Sequence, residues 1–158
     1  MPSSLVLNCS KRLADLELCI AFAESASAGR FAAEFSLAPE SGRVLTGALV
    51  CYDASVKVNV LGIPQLFIEE HTPESPEVTR ELAVRLKELI PADIHVGITG
   101  LTTPGGSENS DKPVGTIFLH VLGPFDPFSI RRCFSGHPEA IVLQALDEVA
   151  ASLIQKLE

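Results

Sequence analysis

Leu18-Cys19-Ile20-Ala21-Phe22-Ala23, then Glu24-Ser25-Ala26-Ser27-Ala28-Gly29, then Phe31-Ala32-Ala33-Glu34-Phe35: an apolar run, a small polar turn and a resumed helical pattern follow one another within a short stretch. The unbroken run from Leu18 to Ala23 reads as a strand covered on both faces. The turn is too small and polar to continue it, and Phe31 to Phe35 takes up helical character. Strand, tight turn and helix in that order are the opening of an α/β layer arrangement.

Working outward supports this. Upstream, Leu5, Cys9, Leu13 and Leu16 recur at helical spacing. Downstream, Pro39 to Gly42 breaks the chain and Val44 to Tyr52 is rich in strand formers. Asp53 is suited to cap a helix carrying Val56, Lys57 and Val60, with Gly62 ending it. Ser75-Pro76 starts another helix, buried through Val78, Leu82, Leu86 and Leu89 and stopped by Pro91. Ile94 to Ile98 predicts a third strand, and Gly100 to Pro113 a long loop. Val114 to Leu122 and Ser129 to Phe134 read as two further strands. A last helix opens at Pro138 and lines up Ile141, Ala145, Val149, Leu153 and Leu157. The expected fold is a three-layer α/β/α sandwich of residues 1–158 as one domain. Its sheet is mostly buried, and mixed because the two late strands adjoin.

Bulk properties limit the function classes. The 158 residues are 46% hydrophobic and 20% charged, ordinary for one well-buried core. A net charge of −8, with no Lys/Arg stripe, argues against a nucleic-acid partner. No apolar run is long enough to span a membrane. The start lacks the basic and apolar regions of a secretory leader. Cys9, Cys19, Cys51 and Cys133 are scattered and are expected to be reduced, buried thiols of a cytoplasmic protein. The histidines His71, His95, His120 and His137 are dispersed. No metal-ligand spacing is present, so neither metal nor cofactor is expected.

Ligands of open α/β sheets gather at strand carboxyl ends. Three such ends carry polar, small residues: Glu24 to Gly29, Tyr52 to Lys57, and Thr99 to Gly106. Ser25 or Ser27 can simply cap a helix, or Ser25 can present its hydroxyl where backbone amides would hold an oxyanion. Lys57 can be a solvated surface charge, or a desolvated base for a serine, with Tyr52 relaying a proton. The glycine-rich loop has no standard phosphate motif, but its amides can form an anion nest.

Taken together, these segments resemble a known family, the CinA C-terminal domains. Ala23-Glu24-Ser25 with its small residues and Gly29 is similar to A-E-S-C-T-G-G. Gly47, Tyr52 and Lys57, continued by Leu61-Gly62-Ile63, resemble G-x-x-x-Y-S-x-x-x-K. Ile98-Thr99-Gly100, Pro104-Gly105-Gly106 and Lys112-Pro113-Val114-Gly115-Thr116 resemble I-T-G-I-A-G-P-x-G-G and K-P-V-G-T, and Phe134-Ser135-Gly136 resembles a late F-x-G. The likeness runs from about Leu13 to the C-terminus. It implies a metal-free amidohydrolase converting nicotinamide mononucleotide to nicotinic acid mononucleotide and ammonia. Ser25 would be the nucleophile, Lys57 the base and Tyr52 the proton relay. Ser27, Gly29, Thr99, Gly100, Gly105, Gly106 and Lys112 would bind substrate. A small pyridine nucleotide is the implied partner, and a homo-oligomer, in the simplest case a homodimer, is compatible with it.

Departures stand beside the matches. Ala28 replaces a glycine, and the loop around Pro104 is one residue shorter. Thr72-Pro73-Glu74-Ser75 replaces G-A-V-S, and His137-Pro138-Glu139 lacks the family's arginine. They leave two other readings open: a catalytically silent homologue that binds a nucleotide or a protein, and an amidase for a less anionic substrate.

Overall fold

The computed structural model describes residues 1–158. Helix α1 (Ser4–Asp15) leads into β1 (Ile20–Glu24), then α2 (Arg30–Ser36), the single turn α3 (Ser41–Val44) and β2 (Leu45–Val50). Helices α4 (Ala54–Asn59), α5 (Gln65–His71) and α6 (Pro76–Leu89) precede β3 (Ile94–Gly100). The hairpin β4 (Thr116–Gly123) and β5 (Phe125–Cys133) and the long α7 (Pro138–Lys156) complete the chain. The sheet order is β2-β1-β3-β4-β5. The first three strands are parallel, while β4 and β5 are antiparallel, so the mixed three-layer α/β/α sandwich is the fold.

The alternation along β1 divides the core. Ile20 and Phe22 face one layer and pack with Phe31 and Phe35 of α2, with α1 and with α7. Ala21 and Ala23 face the other, with Cys51, Ile63, Ile68 and the Val78-Leu82-Leu86 stripe of α6. Phe22 is fully buried and meets Phe31 edge-on at 5.8 Å. A side chain of that size contributes about 1.5–3 kcal/mol by leaving water. Gly97 lets α6 press onto β3, because a Cβ there would lie 2.4 Å from the Thr79 carbonyl oxygen.

The structure departs from the sequence expectation in a few places. It adds α5, which Gln65 to His71 form where no helix was expected. β5 begins at Phe125 rather than Ser129, its Pro127 tolerated because β5 is an edge strand. Cys133 lies exposed on that edge and Cys19 is half-buried, so only Cys9 and Cys51 are buried thiols. No helix is long and apolar enough to cross a membrane.

Candidate active site

Because β1 lies between β2 and β3 and all three run parallel, their carboxyl ends share one edge of the sheet. The segments after each strand therefore converge. Two hydrogen bonds fasten the turn after β1: Ser25 N–H donates to the Ile98 carbonyl at 3.1 Å, and Cys51 N–H to that of Glu24 at 2.8 Å.

Glu24 itself is fully buried. Its carboxylate accepts from the Ser27 hydroxyl at 2.6 Å and from the amides of Gly29, Phe31 and Ala32 at 3.0, 3.0 and 2.8 Å. A helix start leaves such amides without acceptors, and α2 has no side-chain cap at Gly29. The strand-end glutamate does that work instead, and so fixes the turn that carries Ser25.

Lys57 comes from the opposite side. Asp53 caps α4 by accepting from Ser55 N–H at 2.8 Å, and the lysine one turn later points back under the sheet edge. It is only 1% exposed. Its Nζ lies 3.0 Å from Ser25 Oγ and donates to the Cys51 carbonyl at 2.7 Å and the Tyr52 carbonyl at 3.3 Å. None of these partners is a carboxylate. Burial therefore lowers the lysine pKa from its ordinary 10.5, opposed more weakly by Cys51, Glu74 and Asp53. A hydroxyl within hydrogen-bond reach of a lysine whose charged form is disfavoured is the pairing that a serine nucleophile and its base would require.

Ser25 opens into a pocket of about 180 Å³ walled by Ala26, Tyr52, Glu74 and the chain from Gly100 to Gly106. The N–H of Ala26, directly after the serine, has no acceptor within the protein. Ala26 lines the same pocket as Ser25, next to where an oxyanion would form. A cavity of about 210 Å³ adjoins this pocket, shares Ala26 and Thr102 with it, and carries Arg30 and Glu139. The largest cavity, about 550 Å³ beside α4 and α5, shares only Glu74 and Gly106 with it and does not contain the serine.

The other expected site residues divide. Gly100, Gly105 and Gly106 line the pocket, although the Gly105 amide is taken by Glu108 at 3.1 Å. Tyr52 also lines it but is 63% exposed. Its hydroxyl bonds to neither Ser25 nor Lys57, so only its carbonyl touches the pair. Ser27 and Gly29 face Glu24. Thr99 is fully buried against α6, its hydroxyl 2.8 Å from that of Thr79. Lys112 holds the Thr72 hydroxyl at 2.8 Å and the Glu74 carbonyl at 2.6 Å instead of facing the pocket. In this structure the polar groups of these four residues are engaged by protein partners. Ala28 adopts a left-handed conformation (φ 47°) with its side chain exposed, so it strains the turn without crowding the site. Sequence reasoning anticipated a backbone amide beside Ser25 but missed the parts played by Glu24, Glu74 and Arg30. A lone Glu closing an apolar strand was the one available signal. No three His, Cys, Asp or Glu side chains gather as a metal site would need.

The arrangement defines an α/β sandwich with a buried serine–lysine pair at its strand ends. The CinA C-terminal domain model matches residues 3–157, and the chain belongs to that family. A CinA-like protein of Prochlorococcus marinus is 32% identical over 143 residues, 87% of this chain and 34% of that protein. One from Koribacter versatilis is 34% identical over 138 residues, 87% of this chain and 33% of its own length. The chain thus spans about a third of the curated relatives it matches. Among solved structures, a competence-damaged protein (CinA) superfamily protein from Klebsiella pneumoniae superimposes with TM-score 0.89 at 26% identity, covering 97% and 95% of the two chains. Another from Escherichia coli gives 0.87 at 26%, covering 96% and 87%.

Proposed function

We propose that this domain is a serine–lysine amidohydrolase that deamidates a pyridine nucleotide, nicotinamide mononucleotide being the expected substrate. The observation that carries this reading is the buried Lys57 Nζ, 3.0 Å from Ser25 Oγ, beneath a pocket at the strand ends.

Neutral Lys57 takes the Ser25 proton as Oγ attacks the carboxamide carbon. The carbonyl oxygen becomes an oxyanion facing the Ala26 amide. Lys57, now an ammonium, returns the proton to the amide nitrogen as the C–N bond breaks, and ammonia leaves. Water then attacks the acyl ester, Lys57 accepts its proton, and collapse releases the acid and restores Ser25. Tyr52, at the exposed rim, acts on the bound ring or orders water and does not bridge the pair in this geometry.

The test is ammonia release from purified protein over a small panel of pyridine amides, with chelator present and absent. Ser25→Ala should abolish turnover in a folded protein, by at least about a thousandfold, and chelator should have no effect. Wild-type-like release by Ser25→Ala would refute the reading. Substrate binding with no ammonia from the unaltered protein at any pH would favour a silent binding homologue.

A further inference from the structure

Glu74 is the only ionisable side chain besides the Tyr52 phenol among the residues lining the Ser25 pocket. It stands in the Thr72-Pro73-Glu74-Ser75 segment, where the family pattern has small apolar residues. Its carboxylate is half-buried and has no salt-bridge partner. An acid so placed usually turns outward into water or finds a cation. Here it is held inward. Lys112 grips the Glu74 carbonyl and the Thr72 hydroxyl, and the Ser107 hydroxyl donates to Glu74 Oε2. Thr72 adopts a left-handed φ of 69° to make this turn. Gly106 lies against the carboxylate, a Cβ there standing in ordinary contact with Oε1 at 3.4 Å. The position also opposes the chemistry, because a carboxylate here favours the protonated form of Lys57.

We infer that Glu74 is a specificity determinant that selects substrates bearing a positive charge beside the reacting amide, a pyridinium rather than a neutral ring. The inference rests on the amidase reading and adds the charge of the substrate it takes. An N-glycosylated nicotinamide carries its positive charge in the ring, two bonds from the carbon bearing the carboxamide. With that amide at Ser25, the cation lies within the same small pocket as Glu74. The wall is fixed before binding, so little reorganisation is needed when the cation arrives. The bound cation also offsets the field of Glu74 at Lys57 and thereby helps the lysine reach its basic form.

Two ribosides isolate the ring charge: nicotinamide riboside, a cation, and benzamide riboside, in which carbon replaces the ring nitrogen. Glu74→Gln keeps the side-chain shape and an acceptor for Ser107. The ratio of kcat/KM for the cationic over the neutral riboside should fall on the order of tenfold in Glu74→Gln. The rise of rate with pH on the neutral riboside should begin at lower pH in the variant, because the carboxylate no longer holds the proton on Lys57. An unchanged ratio, or equal losses on both ribosides with an unmoved pH profile, would overturn the inference while leaving amidase activity established. The dissociation constants of both ribosides for Ser25→Ala, with and without Glu74→Gln, give the same ratio without turnover. If no amide is hydrolysed but this binding ratio still falls, the amidase reading fails and Glu74 keeps its role in charge selection.

Discussion

Lys57→Met removes the buried amine while retaining a flexible apolar side chain, and its effect can be followed through pH. In the folded protein Lys57 is 1% exposed and its partners are a hydroxyl and two carbonyls, so burial lowers its pKa below 10.5. In the unfolded chain it returns to that ordinary value. Between the folded and unfolded pKa values the unfolded state holds a proton that the folded state has lost, and stability then rises with pH. Below the folded pKa both states are protonated, and the full desolvation penalty weighs on the fold. The wild type should therefore gain stability over Lys57→Met as pH rises, with a slope approaching about 1.4 kcal/mol per pH unit.

Burial pushes the Cys9 thiol up to about 12 and the Cys51 thiol to about 11. Above about pH 9 these thiols weaken both proteins, because the unfolded chain loses their protons first. The comparison is cleanest from about pH 6 to 9. The chain has no tryptophan, so urea unfolding is best followed by far-ultraviolet circular dichroism. The variant should lose at least about a thousandfold in turnover. Curves that stay parallel all the way to the ordinary lysine value of 10.5 would refute the claim that a lysine of lowered pKa lies under Ser25, as would a wild type that weakens relative to the variant.

Glu24→Gln should destabilise the fold by about 2–4 kcal/mol, since an amide NH₂ would meet donors that the carboxylate now satisfies; a loss under about 1 kcal/mol in urea unfolding would contradict its capping role. Ala28→Gly should stabilise by about 0.5–1 kcal/mol, the relief of a left-handed alanine less the added chain entropy, and thermal unfolding that shows a loss would count against strain there. Arg30 is held by Glu34 and Glu139, each at 2.7 Å, in the cavity next to the Ser25 pocket. With Arg30 as the cation that meets the substrate phosphate, Glu139→Gln should free it and raise the kcat/KM ratio of nicotinamide mononucleotide over its riboside several-fold, and an unchanged ratio would show that Arg30 has no such role.

The layer order was legible because β1 is an unbroken apolar run, the α6 and α7 stripes are long enough for their period to show, and Asp53, Ser75 and the first-turn Pro138 marked helix starts. Helix α5 was not, since Gln65 to His71 has only Ile68 buried and no side-chain cap. The segments around Ser25 and Lys57 were legible as strand ends. Their contact was implied by the family resemblance and not by any local pattern, because it depends on β1 lying beside β2. Lys112 and Thr99 matched a motif, but motif position does not say which way a side chain turns. Lys112 turned to the loop before α6, and Thr99 to the helix itself.

What separates chemistry from scaffolding at this site is how each buried charge is answered. Glu24 and Lys57 are both sequestered beside Ser25, at 0% and 1% exposure. Glu24 accepts four hydrogen bonds, three of them from backbone amides, so its carboxylate oxygens are fully used in holding the turn. Lys57 has only neutral oxygens around it, so its charge is poorly matched and proton loss is the easiest relief. Glu24 fixes the turn that carries the serine, and in the proposed mechanism Lys57 takes the serine proton. A carboxylate brought within ion-pairing distance of Lys57 would restore its charge and end its use as a base. Glu74 lines the pocket without pairing with Lys57 and only weakly opposes the lowering of its pKa, so under the proposed charge selection a cationic ring bound there would offset that opposition.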